Sequence, residues 1–469
     1  MVSSIVSSGG RSVFGSIVIV HPFWDFWASS VSWDLRADRE DLLACATEEL
    51  SHYGHILRSS LVSGPEDALG AVQDCASADA VVVVSSMAVP PATGMAVLNE
   101  LPGIPVVVWA VSRTSAMAPE FSHSDITSVG STVGAPMIAS ALARQGRPFR
   151  VVASTLQHPG EIGSAVSIAI AAGRVKRARI LRIGEVMPGY TTVVPPVTGW
   201  DKFGPTIVDL PAAQFAQRTN SADPEAVSET LAKIADSSTV SPKVNPLGLE
   251  RAAAAEVALR AAVLEFSCTA GAFNCHVASL RPNPEFGIAP CLALGRLTSD
   301  GYPFTCTGDQ VTAIAMLAVQ SLGLPTLYHE VEALDHDHDD AILANTGEYD
   351  RRLCGDEKLE IVPNIWFEQD PITAPCPLFS IPAGPASLVG FVFAPTPRFV
   401  VAEGEFTGRQ SPNTGTPNAG FRFSSGPVGS AWARWAEAGV VHHSAATNAL
   451  VADRIEEIAH HLGAEFVRV

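Results

Sequence analysis

The groups best suited to chemistry lie between Cys306 and Glu348, with a second set near the C-terminus. The first stretch carries a hydroxyl at Thr307, carboxylates at Asp309, Glu330 and Glu332, and an amide at Asn345; the second carries the tandem His442-His443. Carboxylates and imidazoles brought to one point can hold a divalent cation or move a proton. Asp309 is a good helix N-cap, and Val311, Ile314, Met316, Leu317 and Val319 give the helix an apolar face. Gly323 ends that helix and Pro325 prevents its restart. The pattern then predicts a strand over Leu327–Leu334, a charged turn over Asp335–Asp340, and a short strand over Ala341–Asn345. A loop tip, a strand and a strand end can converge polar groups on one point, as a polyol or metal site requires.

This stretch resembles the L-fucose and L-arabinose isomerase superfamily, the metal-dependent aldose–ketose isomerases. In that family a Glu-Gly-Asp-like loop opens a helix, an acidic strand residue follows, and a His ends the next strand. A Gly-x-x-His-His-like segment completes the site. The matching positions here are Thr307-Gly308-Asp309, Glu330, Asn345 and Gly439-Val-Val-His442-His443. Thr307 thus stands where the family has its catalytic Glu, and Asn345 where it has His. The resemblance continues upstream in Pro105-Val-Val-Val-Trp109-Ala, in His123-Ser124 through Gly130-Ser-Thr-Val-Gly134, and in Arg182-Ile-Gly-Glu185 with Pro188-Gly189.

The resemblance implies Glu330, Asp309 and His123 as catalytic residues. Glu330, His442 and His443 would be ligands of Mn2+ or Mg2+, and Thr307, Asn345, Glu185 and Trp109 would face a sugar. It also implies a homo-oligomer, trimeric or hexameric, with sites shared between protomers. Neighbouring residues of a strand point to opposite faces, so one of His442 and His443 is expected at the site, with the choice open. Glu332 competes with Glu330 for the same role. His329 falls on the opposite face of its strand from Glu330. The Asp335-His-Asp-His-Asp-Asp340 run reads as a solvated turn, and His460-His461 as favourable charge at a helix C-terminus. The loop from Gly408 to Gly415 is either a lid or a surface loop.

Composition describes a well-buried globular protein. The 469 residues are 47% hydrophobic and 17% charged, and the formal charge is −18. No basic stripe offsets that charge, which argues against binding nucleic-acid phosphates. Eight cysteines show no C-x-x-C pair, as expected of reduced thiols in a cytoplasmic protein. No window of about 20 apolar residues predicts a membrane span. The N-terminal run is broken by Ser and Gly and predicts no leader peptide.

From Ser16 onward, short apolar β runs alternate with helices, the pattern of a parallel sheet covered on both faces. There is no G-x-G-x-x-G and no P-loop, so the layout is Rossmann-like without a nucleotide motif. A second α/β unit begins near Arg179. After Pro325, Pro, Gly and short β runs dominate, and one late helix is expected from Ala446 to His461. The expected α/β architecture is a Rossmann-like doubly wound domain over 1–178, a second over 179–324, and a mostly antiparallel β-barrel domain over 325–469. The expected function is sugar isomerisation through an enediol. An epimerase or lyase of a modified sugar or sugar acid, or a non-catalytic sugar-binding protein, would use the same scaffold.

Overall fold

A computed structural model describes residues 15–469 apart from 197, 356–358, 394 and 410–413, and apart from the side chains of 127 and 128. Most of the N-terminal run read against a leader, and the middle of the Gly408–Gly415 loop, lie outside the described residues. The chain divides into two compact units. One comprises Met1–Arg174 with Glu457–Gly463; the other comprises Val175–Glu456 with Ala464–Val469.

The first unit holds a parallel sheet of β1 (Ser16–Pro22), β2 (His55–Val62), β3 (Ala80–Ser85), β4 (Val106–Ser112) and β5 (Phe149–Thr155), in the order β2-β1-β3-β4-β5. Every residue of β3 is buried, which explains its unbroken apolar sequence. Helices Leu35–Ser51, Pro91–Glu100 and Ser131–Arg144 fall on stretches read as helical from the sequence, and a further helix, Ile162–Lys176, was not anticipated. Residues 64–76 form only a single helical turn, Ala68–Ala71, behind the 3-10 turn Pro65–Asp67.

The second unit contains a smaller parallel sheet of β6 (Arg179–Ile183), β7 (Thr206–Leu210), β9 (Ala270–Phe273) and β10 (Phe304–Thr305), ordered β10-β9-β6-β7. Its remaining strands are β8 (Ser238–Val240), β11 (Leu327–Asp335), β12 (Asp340–Ala344), β13 (Leu359–Pro363), β14 (Pro375–Leu378), β15 (Gly384–Phe393), β16 (Pro397–Phe406), β17 (Asn418–Phe423), β18 (His443–Thr447) and β19 (Glu465–Arg468). Strands β14-β13-β8 form a small sheet.

In the region read as a mostly antiparallel barrel, the structure has a mixed seven-stranded sheet, ordered β15-β18-β11-β12-β17-β16-β19, in which every strand pairing but β16–β19 is antiparallel. Strand β16 also pairs with β15 along ten residues. The sheet is mixed because the C-terminal strand β19 adds to β16 in parallel. The expected late helix starts only at Ala452, because His443–Thr447 is spent as β18, buried between β11 and β15. A further helix, Val428–Glu437, was not anticipated.

One helix of the second unit matters most for the site. Gln310–Ser321 is buried almost throughout, which its apolar sequence permits on every side. Asp309 caps it by accepting from the Thr312 N–H at 2.8 Å. Its N-terminus therefore lies at the carboxyl end of β10, where loops of parallel sheets gather ligands.

Candidate metal and sugar site

Three loops at the carboxyl ends of β6, β9 and β10 are tied together. The Gly308 N–H donates to the Phe273 carbonyl at 3.2 Å, the Met187 N–H donates to the Thr307 carbonyl at 3.2 Å, and the Asn274 amide donates to the Glu185 carbonyl at 2.5 Å. Thr307 and Gly308 have φ values of 53° and 76°. Gly308 adopts this conformation freely, but for a β-branched residue it is strained. Such strain concentrates at functional sites.

Against these loops stands one face of β11. Tyr328 and Glu330, two residues apart, share that face. Glu330 is paired directly across the ladder with His443, the first residue of β18. The His443 ring bridges two carboxylates: Nδ1 lies 2.8 Å from Asp309 Oδ2 and Nε2 lies 2.9 Å from Glu330 Oε1. Burial pulls the imidazole pKa down, but the hydrogen bonds to Asp309 and Glu330 outweigh it and hold the value at about 9. Burial would raise the Glu330 pKa; the hydrogen bond and charge of His443 reverse this and leave it below the ordinary carboxylate value.

His442 joins the same site, although strand alternation suggested that only one of the pair would. The reason is local: β18 begins at His443, so His442 precedes the strand and escapes its alternation. The two rings lie with centroids 3.7 Å apart. Ligand atoms of Glu330, His442 and His443 all fall within 4.8 Å of one another, and among the described residues no other group of three or more His, Cys, Asp or Glu converges this closely. One carboxylate and two imidazoles suit a divalent transition metal. Asp309 behind His443 is placed as the outer carboxylate that would orient a ligating His and fix its tautomer. The donor set therefore fits a metal.

The other expected residues fall in several places. Thr307 is half-buried, its hydroxyl 3.5 Å from the Tyr328 hydroxyl. Asn345 is buried and spends its side chain on the backbone: its amide donates to the Tyr328 and Glu348 carbonyls at 2.8 and 3.0 Å, and its carbonyl accepts from the Gly347 N–H at 2.9 Å. Glu185 is exposed in the loop after β6. In the first unit, His123 is exposed at the start of the short helix His123–Ser128. Trp109 is fully buried in β4, with its indole N–H donating to Ser154 at 2.8 Å, so its ring belongs to that core. Glu332 is exposed one step past the site, and His329 is fully buried against Ser444 on the other side of β11. The Asp335–Asp340 turn is knitted by Arg409, which pairs with Asp335 at 3.0 Å and with Asp340 at 2.6 Å.

Two aromatic residues at the site were not singled out from the sequence. Tyr328 is buried with its ring centroid 4.6 Å from that of His443, and Tyr190 stands edge-on to His442 at 4.9 Å. Tyr328 directly precedes His329-Glu330, and strand period alone places it beside Glu330. Tyr190 is reachable only through the fold.

No protein-family model matches the chain. A curated relative does: an L-arabinose isomerase of Nocardioides sp. is 26% identical over 358 residues, covering 71% of this chain and 68% of the relative. The chain is similar to an L-arabinose isomerase. The resemblance read from the Cys306–Glu348 stretch is borne out by this distant relative. Among the described residues, no helix is long and apolar enough to cross a membrane.

Proposed function

We propose that this protein is a sugar isomerase of the aldose–ketose type, acting on a monosaccharide or modified sugar at a divalent-metal site formed by Glu330, His442 and His443. The observation that carries the reading is the convergence of those three side chains, with Asp309 fixed behind His443. The similarity to an L-arabinose isomerase supports the substrate class. Mn2+ or Mg2+ is the expected ion, and when bound it supplies charge stabilisation to adjacent sugar oxygens.

Moving a carbonyl between C1 and C2 takes a proton from one carbon and returns it to the other. Glu330 is the carboxylate we assign to this transfer. It is ionised at neutral pH, bonded through one oxygen to His443, and its side chain is 41% exposed. Asp309 is a positioning residue that holds the His443 ring. The Thr307 hydroxyl is suited to hydrogen-bond a sugar hydroxyl but not to act as a base. Roles for Glu185 and His123, and a trimeric or hexameric assembly, rest on the resemblance alone.

A specific observation favours a second reading on the same scaffold. Thr307 occupies the position of the family's catalytic Glu, and Asn345, at the position of its His, is committed to backbone hydrogen bonds. An epimerase or lyase of a modified sugar or sugar acid needs a different proton carrier and tolerates both changes.

The test uses the full chain with Mn2+ in D2O and a panel of aldoses, ketoses and sugar acids. Ketose formation with deuterium at the transferred carbon, lost in Glu330→Gln, supports the isomerase. Deuterium exchange with inverted configuration, or release of water from a sugar acid, supports the second reading. Tight sugar binding without any exchange overturns both.

A further inference from the structure

His442 and His443 are held very differently. Both nitrogens of His443 are bonded to carboxylates, so its ring is fixed. His442 is exposed, and no hydrogen bond among the described residues restrains its ring. A free imidazole of this kind would sample several rotamers, yet this one lies beside His443 with its ligand atom in the cluster.

The His442 ring also meets Tyr190, which lies near His443 as well, with centroids 6.4 Å apart. The Tyr190 and His442 rings stand edge to face, with centroids 4.9 Å apart and planes at 87°. The tyrosine is itself held by its loop. The Tyr190 N–H donates to the Met187 carbonyl at 3.0 Å, and the Met187 N–H donates to the Thr307 carbonyl. At Gly308 an added Cβ would lie 3.1 Å from the Val186 Cα, so loop and Gly308 pack closely. The loop after β6 is therefore anchored to the segment that begins with Thr307 and carries Asp309, the partner of His443.

We propose that Tyr190 is a positioning residue, whose ring edge selects the His442 rotamer that completes the three-ligand set with Glu330 and His443. This rests on the reading that those residues hold a divalent cation. An aromatic edge-to-face pair is a weak, geometry-specific interaction, so its removal frees the ring without removing the ligand. The expected consequence is a loss of about three- to tenfold in metal affinity, less than deletion of His442 causes.

The experiment titrates the full chain with Mn2+ by calorimetry and with Co2+ by visible absorption. Tyr190→Phe keeps the ring and is expected to match the wild type in both readouts. Tyr190→Leu keeps apolar bulk without the ring and is expected to weaken Co2+ binding and move its absorption bands towards those of His442→Ala. Wild-type affinity and spectrum in Tyr190→Leu would overturn the proposal, as would a Tyr190→Phe variant as weak as Tyr190→Leu. Absence of Mn2+ and Co2+ binding in the wild type would defeat the metal reading itself, a different result from a Tyr190 variant that binds normally.

Discussion

Glu330 and His443 face each other directly across the β11–β18 ladder, their side chains joined at 2.9 Å, and the far nitrogen of the same imidazole is held by Asp309. One ring thus joins a half-exposed carboxylate on a strand to a buried carboxylate at a helix cap. The cap also serves the fold, since Asp309 accepts from the Thr312 N–H. Helix stability and ligand orientation share a single residue.

These two duties should separate by mutation. Asp309→Asn keeps a cap acceptor but loses the charge behind His443. It is expected to weaken Mn2+ binding by about 10–100-fold, as loss of an outer-shell partner does. Asp309→Ala loses the cap too and should cost about 1 kcal/mol more in stability. Urea unfolding and metal titration of both variants check this; equal affinity in Asp309→Asn and wild type would remove Asp309 from the site.

Thr307 and Asn345 should respond unequally to restoration of the family residues. Thr307→Glu adds a carboxylate next to Tyr328 without breaking a strong contact, since the Thr307–Tyr328 hydroxyl distance is 3.5 Å. Tighter Mn2+ binding is expected, by about tenfold, because hard-cation affinity rises with ligand charge. Asn345→His sacrifices three backbone hydrogen bonds and should destabilise the fold by about 1–3 kcal/mol. Equal gains in affinity from both substitutions would contradict the committed role of Asn345.

The left-handed conformation of Thr307 predicts a stability gain elsewhere. Asn tolerates φ near 53° far better than a β-branched residue. Thr307→Asn is expected to stabilise the protein by about 1 kcal/mol, read from the denaturation midpoint at unchanged m-value. A destabilised variant would mean that the Thr307 side chain contributes more than its backbone costs.

Acid sensitivity should arise in the first unit. His21 is fully buried with Nε2 2.8 Å from Ser86 Oγ; burial, then the Arg39 charge, lower its pKa to about 3. In the unfolded chain the value is about 6.5. Between these values the unfolded state binds the extra proton, so stability rises with pH. The contribution is complete above about pH 6.5 and is lost as pH falls towards 3. His21→Gln should therefore lose less of its urea midpoint than the wild type between pH 7 and pH 5. Parallel losses in the two proteins would show that His21 does not set this slope.

Much of this architecture could be read from local pattern. The buried valine runs predicted the first parallel sheet, and Asp309 with the apolar helix behind it predicted the cap and the burial. Glu330 was singled out by the family resemblance, with Glu332 as its competitor on the same strand. The sheet and the helix depend on period and on residue chemistry, which a sequence carries directly.

The rest needed the tertiary structure, because it depends on where distant strands meet. Only the β11–β18 register brings His443 opposite Glu330, 113 residues away, and only the start of β18 at His443 frees His442 to join it. Asn345 reads as a sugar-facing position until its amide is seen bonding two carbonyls, and Tyr190 comes to notice only when the loop after β6 is seen beside His442. Local sequence fixes which groups are present and their strand or helix phase; the pairing of remote segments decides which groups share a site.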